Sequence, residues 1–157
     1  MTIGIAAHGP NAGLAVIRAL AAVEAVGRGA IGGFVSFVAL SANGTVERAT
    51  TQQGGSGALF GSGARAMPSA IAKAAIAGLM SSGPDRPEPL SQFTPAAAGV
   101  GLVTGHRMPN TIGVSGAFLN DEVLDLMHQG VTPEDAVERV VSANPDVDAG
   151  IIALSLD

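Results

Sequence analysis

The stretch that most constrains the fold runs from Gly32 to Gly55, because it has the pattern of two strands joined by a tight turn. Phe34 to Leu40 is apolar except for one serine, and Thr45 to Thr51 alternates with polar residues. Between them lies Asn43-Gly44, a dipeptide favoured where both central residues of a type I′ turn need positive φ. The pattern predicts an antiparallel hairpin followed by a glycine-rich loop.

Further elements precede and follow this hairpin. In chain order the sequence predicts a strand over 2–7, a helix over 11–26, the hairpin, a helix over 68–80, a proline-rich loop over 81–95, a strand over 99–104, helices over 120–129 and 132–144, and a strand over 150–156. The strands are mostly apolar, so the sheet is expected to be covered on both faces or doubled. Helices and strands alternate without a strict βαβ repeat, which favours one layered α+β domain.

The composition indicates an oligomer. Charged residues make up 13 % of the 157-residue chain, well below the roughly 25 % of typical soluble domains. A surface so poor in charge suggests that another subunit, either a second copy or a partner chain, covers part of it. The alternative is a compact monomer with an alanine-rich surface.

Several classes of function are not expected. The net charge of −5 and the scattered basic residues argue against nucleic acid as a partner. No apolar run is long enough to span a membrane, and the start lacks a basic signal region, so the cytoplasm is the default location. The chain has no cysteine, no dinucleotide-binding glycine motif and no metal-ligand spacing among its three histidines. Neither a cofactor nor a metal is therefore expected. A small molecule is the expected ligand.

The loop after the hairpin, from Thr50 to Gly57, is the first candidate site. Its glycines would let a ligand approach the backbone, and consecutive N–H groups can bind an anion or an oxyanion. Thr51 is a candidate catalytic residue here, with Gln53, Gly54 and Gly55 as candidates for substrate binding. The alternative is a flexible hairpin exit whose glycines serve only the turns.

A second candidate lies in the polar segment after the strand over 99–104. His106 titrates near neutral pH and could act as acid or base. Arg107 could hold a carboxylate with two parallel hydrogen bonds, and Asn110 lies close behind in the same loop. The alternative is a solvated His-Arg pair on a turn.

Thr2 is a third candidate for catalysis. Methionine before threonine is commonly removed, which would leave a free N-terminal threonine on a buried strand. An α-amino group with a pKa near 8 can act as the base for its own hydroxyl. The alternative is that this threonine only begins the strand.

Three segments together resemble a known family. The strand, turn and strand before Gly55, with its closing run Thr51-Gln52-Gln53-Gly54-Gly55, is similar to the N-terminal-nucleophile (Ntn) hydrolases of the isoaspartyl peptidase and glycosylasparaginase type. The segment from Leu124 to Leu154 looks like their helix–helix–strand unit. The start, Thr2-Ile3-Gly4-Ile5-Ala6, resembles their nucleophile strand and also the opening of an uncharacterised bacterial Ntn-like family.

This resemblance implies a four-layer αββα sandwich with a central hairpin, and hydrolysis of an amide bond. By analogy, Thr51, Gly54 and Gly55 would help to form the oxyanion site. The chain departs from the family at Gly29 to Gly32, where no Thr, Ser or Cys matches the nucleophile. Either Thr2 or Thr111 replaces it, or the scaffold has lost the reaction, or the chain is one piece of a longer precursor. The sequence therefore leaves two functions open: a small-molecule amide hydrolase, and a non-catalytic ligand-binding or structural subunit.

Overall fold

The computed structural model describes residues 2–27, 31–61, 63–83 and 85–157. Positions 29 and 30, two of those that match the family nucleophile, lie outside these residues, as does position 84 of the proline-rich loop. The strands are β1 (Ile3–His8), β2 (Val35–Leu40), β3 (Val46–Thr51), β4 (Ile76–Ser81), β5 (Ala96–Ala97), β6 (Gly101–Arg107) and β7 (Ala149–Ser155). The helices are α1 (Ala12–Val26), α2 (Gly55–Ala58), α3 (Ser69–Ala72), α4 (Leu119–His128) and α5 (Pro133–Ala143), with 3₁₀ segments at Gly63–Arg65 and Leu90–Phe93.

The strands form two antiparallel sheets. The first sheet has the order β1-β4-β2-β3 and the second the order β5-β6-β7. The predicted hairpin is confirmed as β2 and β3, with β2 inside the first sheet and β3 at its edge. The register aligns Ile3, Ser81, Val35 and Thr51 in one row across all four strands.

The two sheets lie between two layers of helices. Val35 and Phe37 of β2 pack with α1, whereas the alternate residue Val38 packs with Leu102 of the second sheet. On the far side of that sheet, Val103 packs against α4 and α5. The fold is therefore α+β and layered, as predicted, with the order helix, sheet, sheet, helix.

Small residues let the two sheets approach each other closely. A Cβ atom at Gly4 of β1 would collide with the backbone carbonyl of Gly105 in β6. Nearby, the Thr104 hydroxyl donates a 2.9 Å hydrogen bond to the Leu79 carbonyl of β4. This buried bond ties the second sheet directly to the backbone of the first.

The helix predicted over 68–80 is wrong beyond its first turn. Only Ser69–Ala72 is helical, and Ile76–Ser81 is instead a strand between β1 and β2. All six residues of this strand are buried, because α1 covers one face and β6 the other. A strand buried on both faces has a continuous apolar sequence, which lacks the alternation that would distinguish it from a helix.

Three local predictions are also corrected. Gly44 has a φ of 84°, but Asn43 does not have positive φ, so the hairpin turn is not type I′. His106 and Arg107 belong to β6 rather than to a loop. Asn120 lies inside the first turn of α4 and is fully buried, so it does not cap that helix.

The other predicted elements are confirmed within a few residues. The last helix has the predicted start, because the Thr132 hydroxyl accepts the N–H of Asp135 at 3.2 Å and Pro133 occupies the first turn. A hydroxyl at this position satisfies one of the N–H groups that a helix leaves unpaired at its start.

We expect Gly4→Ala to lower the free energy of unfolding by about 1–3 kcal/mol, because the added methyl group would force the two sheets apart. Urea denaturation followed by circular dichroism measures this change. Gly57→Ala is the matched control, since a Cβ atom there would meet nothing within 4 Å, and it should be neutral or slightly stabilising. Equal stability of the two variants would contradict the close approach of the sheets at Gly4.

Candidate functional site

Thr51 ends β3 and uses its hydroxyl within its own turn. Its Oγ1 donates to the Gln53 carbonyl at 2.5 Å and accepts the Gln53 N–H at 3.3 Å. Gln53 and Gly54 are exposed, whereas Gly55 and Ser56 are buried. We call the segment Thr51–Ser56 the cradle loop.

A carboxylate lies in the cradle loop, and it belongs to the chain itself. Ser56 donates its backbone N–H to Glu24 Oε1 at 2.9 Å and its hydroxyl to Glu24 Oε2. Gly55 has a φ of 56°, and a Cβ atom there would collide with the same carboxylate. The Gly55 N–H donates to the Gly33 carbonyl at 3.0 Å. Glu24 therefore binds the two donors of Ser56, and the Gly55 N–H, which the sequence suggested for a ligand, is bonded to Gly33 instead.

Gln52, which the sequence did not single out, connects the cradle loop to the proline-rich loop. Its side-chain oxygen accepts the Arg86 N–H at 2.9 Å, and its nitrogen donates to the Arg86 carbonyl at 2.7 Å and to Glu88 Oε1 at 2.9 Å. The side-chain amide of Gln52 thus bonds both the N–H and the C=O of Arg86, as the backbone of a neighbouring strand would. The contact is structural, and it fixes the proline-rich loop beside the end of β3.

Thr2 and Thr51 lie at the same end of the first sheet but on opposite edges. Thr2 precedes Ile3 in β1, and the register joins Ile3 to Thr51 through Ser81 and Val35. Three strand spacings separate these edges, which amounts to about 14 Å. The two candidate nucleophiles are therefore not parts of one site.

His106 and Arg107 lie on the second sheet, next to the start of β7. The His106 ring packs directly over Gly150, where a Cβ atom would collide with it. Arg107 pairs with Asp148, and their side chains are 56 % and 78 % exposed. A pair this exposed adds little stability, and it gives the guanidinium a carboxylate partner from within the chain.

Asn110 is 8 % exposed and forms part of a buried amide network. Its Nδ2 donates to Gln92 Oε1 at 2.9 Å, and Asn120 Nδ2 donates to the Gln92 carbonyl at 2.7 Å. Gln92 in turn donates to the carbonyls of Pro87 and Pro89. Among the described residues the Asn110 Oδ1 atom has no hydrogen-bond partner. The network holds the proline-rich loop against the start of α4.

A groove of about 540 Å³ opens beside the turn between α4 and α5. Val100, Met127 and Val131 provide apolar lining, while His128 and Thr132 provide polar groups. Sequence reasoning missed this groove, because a histidine near the end of an amphipathic helix is explained equally well by the helix dipole. None of the sequence-predicted site residues lines it.

Comparison with known proteins assigns the chain to a family. Its sequence matches, over residues 2–157, the family described as "Domain of unknown function (DUF6963)". The chain belongs to this family. No curated protein and no solved structure matches it. The family description names no activity, so a function for this DUF6963 domain has to be inferred from its own geometry.

Charged groups offer the DUF6963 domain few further sites. Among the described residues no group of three or more His, Asp or Glu side chains is arranged to hold a metal ion. Within the same residues no helix is long and apolar enough to cross a membrane.

Burial raises the pKa of Asp121, and the nearby charge of Asp125 raises it further. The acidic turn of α4 is thus partly buried rather than fully solvated.

We expect Gly55→Ala to lower the free energy of unfolding by about 2–4 kcal/mol, because it adds left-handed strain and a collision with Glu24. Thermal and urea unfolding measure the loss. The control is Gly116→Ala, since Gly116 also has positive φ, 85°, but has open space around its Cβ position. Gly116→Ala should cost only the strain, about 1–2 kcal/mol. Equal losses would mean that Glu24 does not lie against Gly55.

Proposed function

We propose that this domain is a non-catalytic subunit of an oligomer. The non-catalytic role rests on the Glu24 carboxylate, which takes the N–H and the hydroxyl of Ser56. These donors directly follow Gly54 and Gly55, in the loop that the sequence suggested for the oxygen of a substrate. The oligomer rests on the low charged fraction of 13 %.

The energy of these contacts favours the chain's own carboxylate over a neutral substrate. A hydrogen bond to a charged group is worth about 1.5–3 kcal/mol, whereas a bond between neutral groups is worth about 0.5–1.5 kcal/mol. A substrate amide that displaced Glu24 would exchange the stronger kind for the weaker. It would also leave the Glu24 carboxylate, which is partly buried, without its two donors.

The positions of the candidate catalytic groups also favour a non-catalytic role. A general base has to come within about 3.2 Å of its nucleophile, or within one water molecule of it. The Thr51 hydroxyl instead donates to the Gln53 carbonyl. His106 belongs to the second sheet, beside Gly150. Thr51 and His106 thus lie on different sheets, and each has a contact of its own within the chain.

The second candidate function is the small-molecule amide hydrolase that the resemblance implies. One observation favours it: the Ser56 N–H in the cradle loop does bind a carboxylate oxygen. The same donor could stabilise an oxyanion if Glu24 moved away. In that case Thr51, which lies in the same loop, would have to be the nucleophile, because Thr2 lies on the opposite edge of the sheet, and the Thr51 hydroxyl would have to leave the Gln53 carbonyl.

We expect no hydrolysis of asparagine, β-aspartyl dipeptides or cyclic ureides by the purified protein. Ammonia release and chromatography of the products measure turnover, and an intact-mass spectrum shows whether the first methionine has been removed. Turnover that is lost in Thr2→Ala or Thr51→Ala would contradict the proposal and support the hydrolase. The alanine variants also control for a contaminating enzyme, whose activity they would leave unchanged.

We expect Glu24→Ala to lower the free energy of unfolding by about 1–3 kcal/mol, because two donors lose their acceptor. Acetate can enter the vacated place, so 100 mM sodium acetate should raise the melting temperature of this variant more than 100 mM sodium chloride does. Glu138→Ala, which removes an exposed carboxylate from α5, is the control and should not respond to acetate. If Glu24→Ala were as stable as the wild type and insensitive to acetate, the cradle loop would be open to a substrate.

A further inference from the structure

One flank of the sandwich exposes the edges of two strands at once. Within the described residues β1 pairs only with β4, and β7 pairs only with β6. β1 also contacts β6 and β7 in the other sheet, so the two edges lie one above the other. We call the outer edges of β1 and β7 the double edge.

Among the described residues, the double edge lacks the features that protect strand edges from pairing. Such features include charged side chains, proline, a covering segment or a very short strand. Ile3 to Ala7 and Ala149 to Ser155 contain no charged residue and no proline. Both stretches are largely apolar but only partly buried.

The opposite flank has that protection. β3 carries Glu47 and Arg48, and Arg48 Nη1 donates to the Thr94 carbonyl at 2.7 Å. The segment Leu90–Phe93 packs against β3, and β5 at this end of the second sheet has only two residues. The contrast between the two flanks favours pairing of the double edge with another chain.

We propose that a second copy of this chain covers the double edge, in a symmetric dimer. The inference rests on the proposed role as an oligomer subunit and names both the surface and the partner. One two-fold axis normal to the sheets would pair β1 with β1 and β7 with β7, antiparallel in both cases. The four-stranded and three-stranded sheets of each copy would then continue into those of the other.

Charge favours a second copy over a different partner. The chain carries a net charge of −5, so a basic partner would be attracted to it, but the double edge offers such a partner no acidic side chain. Two identical chains would repel each other over most of their surfaces. Along the double edge they can approach without bringing like charges together, and each supplies the same row of backbone donors and acceptors.

The size of the flank fits a stable dimer. Strands of six and seven residues are about 20 Å long, and four layers of about 10 Å each make the flank about 40 Å high. α1 packs on β1 and α5 on β7, so all four layers reach this side. The flank therefore presents at most about 800 Å² per copy, the usual size of a specific interface, of which about half belongs to the uncharged strands and the rest to α1 and α5.

Ile152 is the residue at which the dimer can be tested. It lies at the centre of β7, so the symmetric pairing brings Ile152 of one copy next to Ile152 of the other. Its neighbour Ile151 packs against the core under α4 and α5, and Leu154 packs between the sheets. Ile152 is only partly buried, but it pairs with Thr104, whose hydroxyl reaches the first sheet, so its side chain faces that sheet and a charge there should harm both the interface and the fold.

Sedimentation equilibrium of the purified protein should give twice the 15.5 kDa mass of the chain. Ile152→Lys should raise the dimer dissociation constant at least about a hundredfold, because it brings like charges together at the symmetry axis. Ile112→Lys is the matched control, since Ile112 is 63 % exposed and lies outside the double edge, and it should remain dimeric. A monomeric wild-type protein at 50 µM, or an Ile152→Lys dimer as tight as the control, would overturn the proposal.

Hydrogen exchange gives an answer even if Ile152→Lys fails to fold. In the wild type, amides of β1 and β7 should become more protected as the protein concentration rises through the dissociation constant, while those of β3 should not change. A dimer whose β1 and β7 amides show no such dependence would overturn the double-edge interface but leave the role as an oligomer subunit intact. Hydrolysis of an amide by a protein with a confirmed double-edge dimer would instead support the interface and overturn the non-catalytic role.

Discussion

The structure depends on the complete burial of β4. This strand lies between β1 and β2 in the first sheet, with α1 on one face and β6 on the other. Gly78 in its middle lies against Leu102 and Thr104 of β6, so that a Cβ atom there would have little room. Because β4 has neighbours on all sides, its small side chains determine how closely the two sheets pack. The row that joins Ile3 to Thr51, and with it the separation of the candidate nucleophiles, also passes through β4.

The parts of the fold that follow from local chemistry could be predicted from the sequence. The second strand of the hairpin, β3, alternates and follows a turn signal, and α5 begins with a threonine cap and a proline at its start. The strand β4 could not be predicted, because alanine favours helices and burial on both faces removes the alternation. The same limit applies to the end of β6, where His106 and Arg107 continue a strand that their polarity suggested had ended. In both places tertiary packing outweighs local preference.

The candidate site, like the fold, could be predicted from the sequence only in part. The glycines and amides of the cradle loop predicted an anion-binding loop, and the structure places a carboxylate there. That the carboxylate is Glu24 could not be predicted, since α1 is 32 residues away from Ser56 along the chain and only the fold brings the end of α1 to this loop. Likewise, Asn110 was a candidate for binding because it lies in the polar loop behind His106 and Arg107, and the fold makes it part of a network with Gln92. The two candidates Thr51 and His106 lie on different sheets.

Glu24 holds the N–H and the hydroxyl of Ser56, and nuclear magnetic resonance of the Ser56 amide tests this contact most directly. We predict a downfield Ser56 amide proton that exchanges slowly, does not shift when asparagine or acetate is added to the wild type, and moves upfield in Glu24→Gln. A Ser56 amide that exchanges rapidly in the wild type and shifts on addition of either compound would contradict the account. It would mean that the cradle loop is free to bind a substrate.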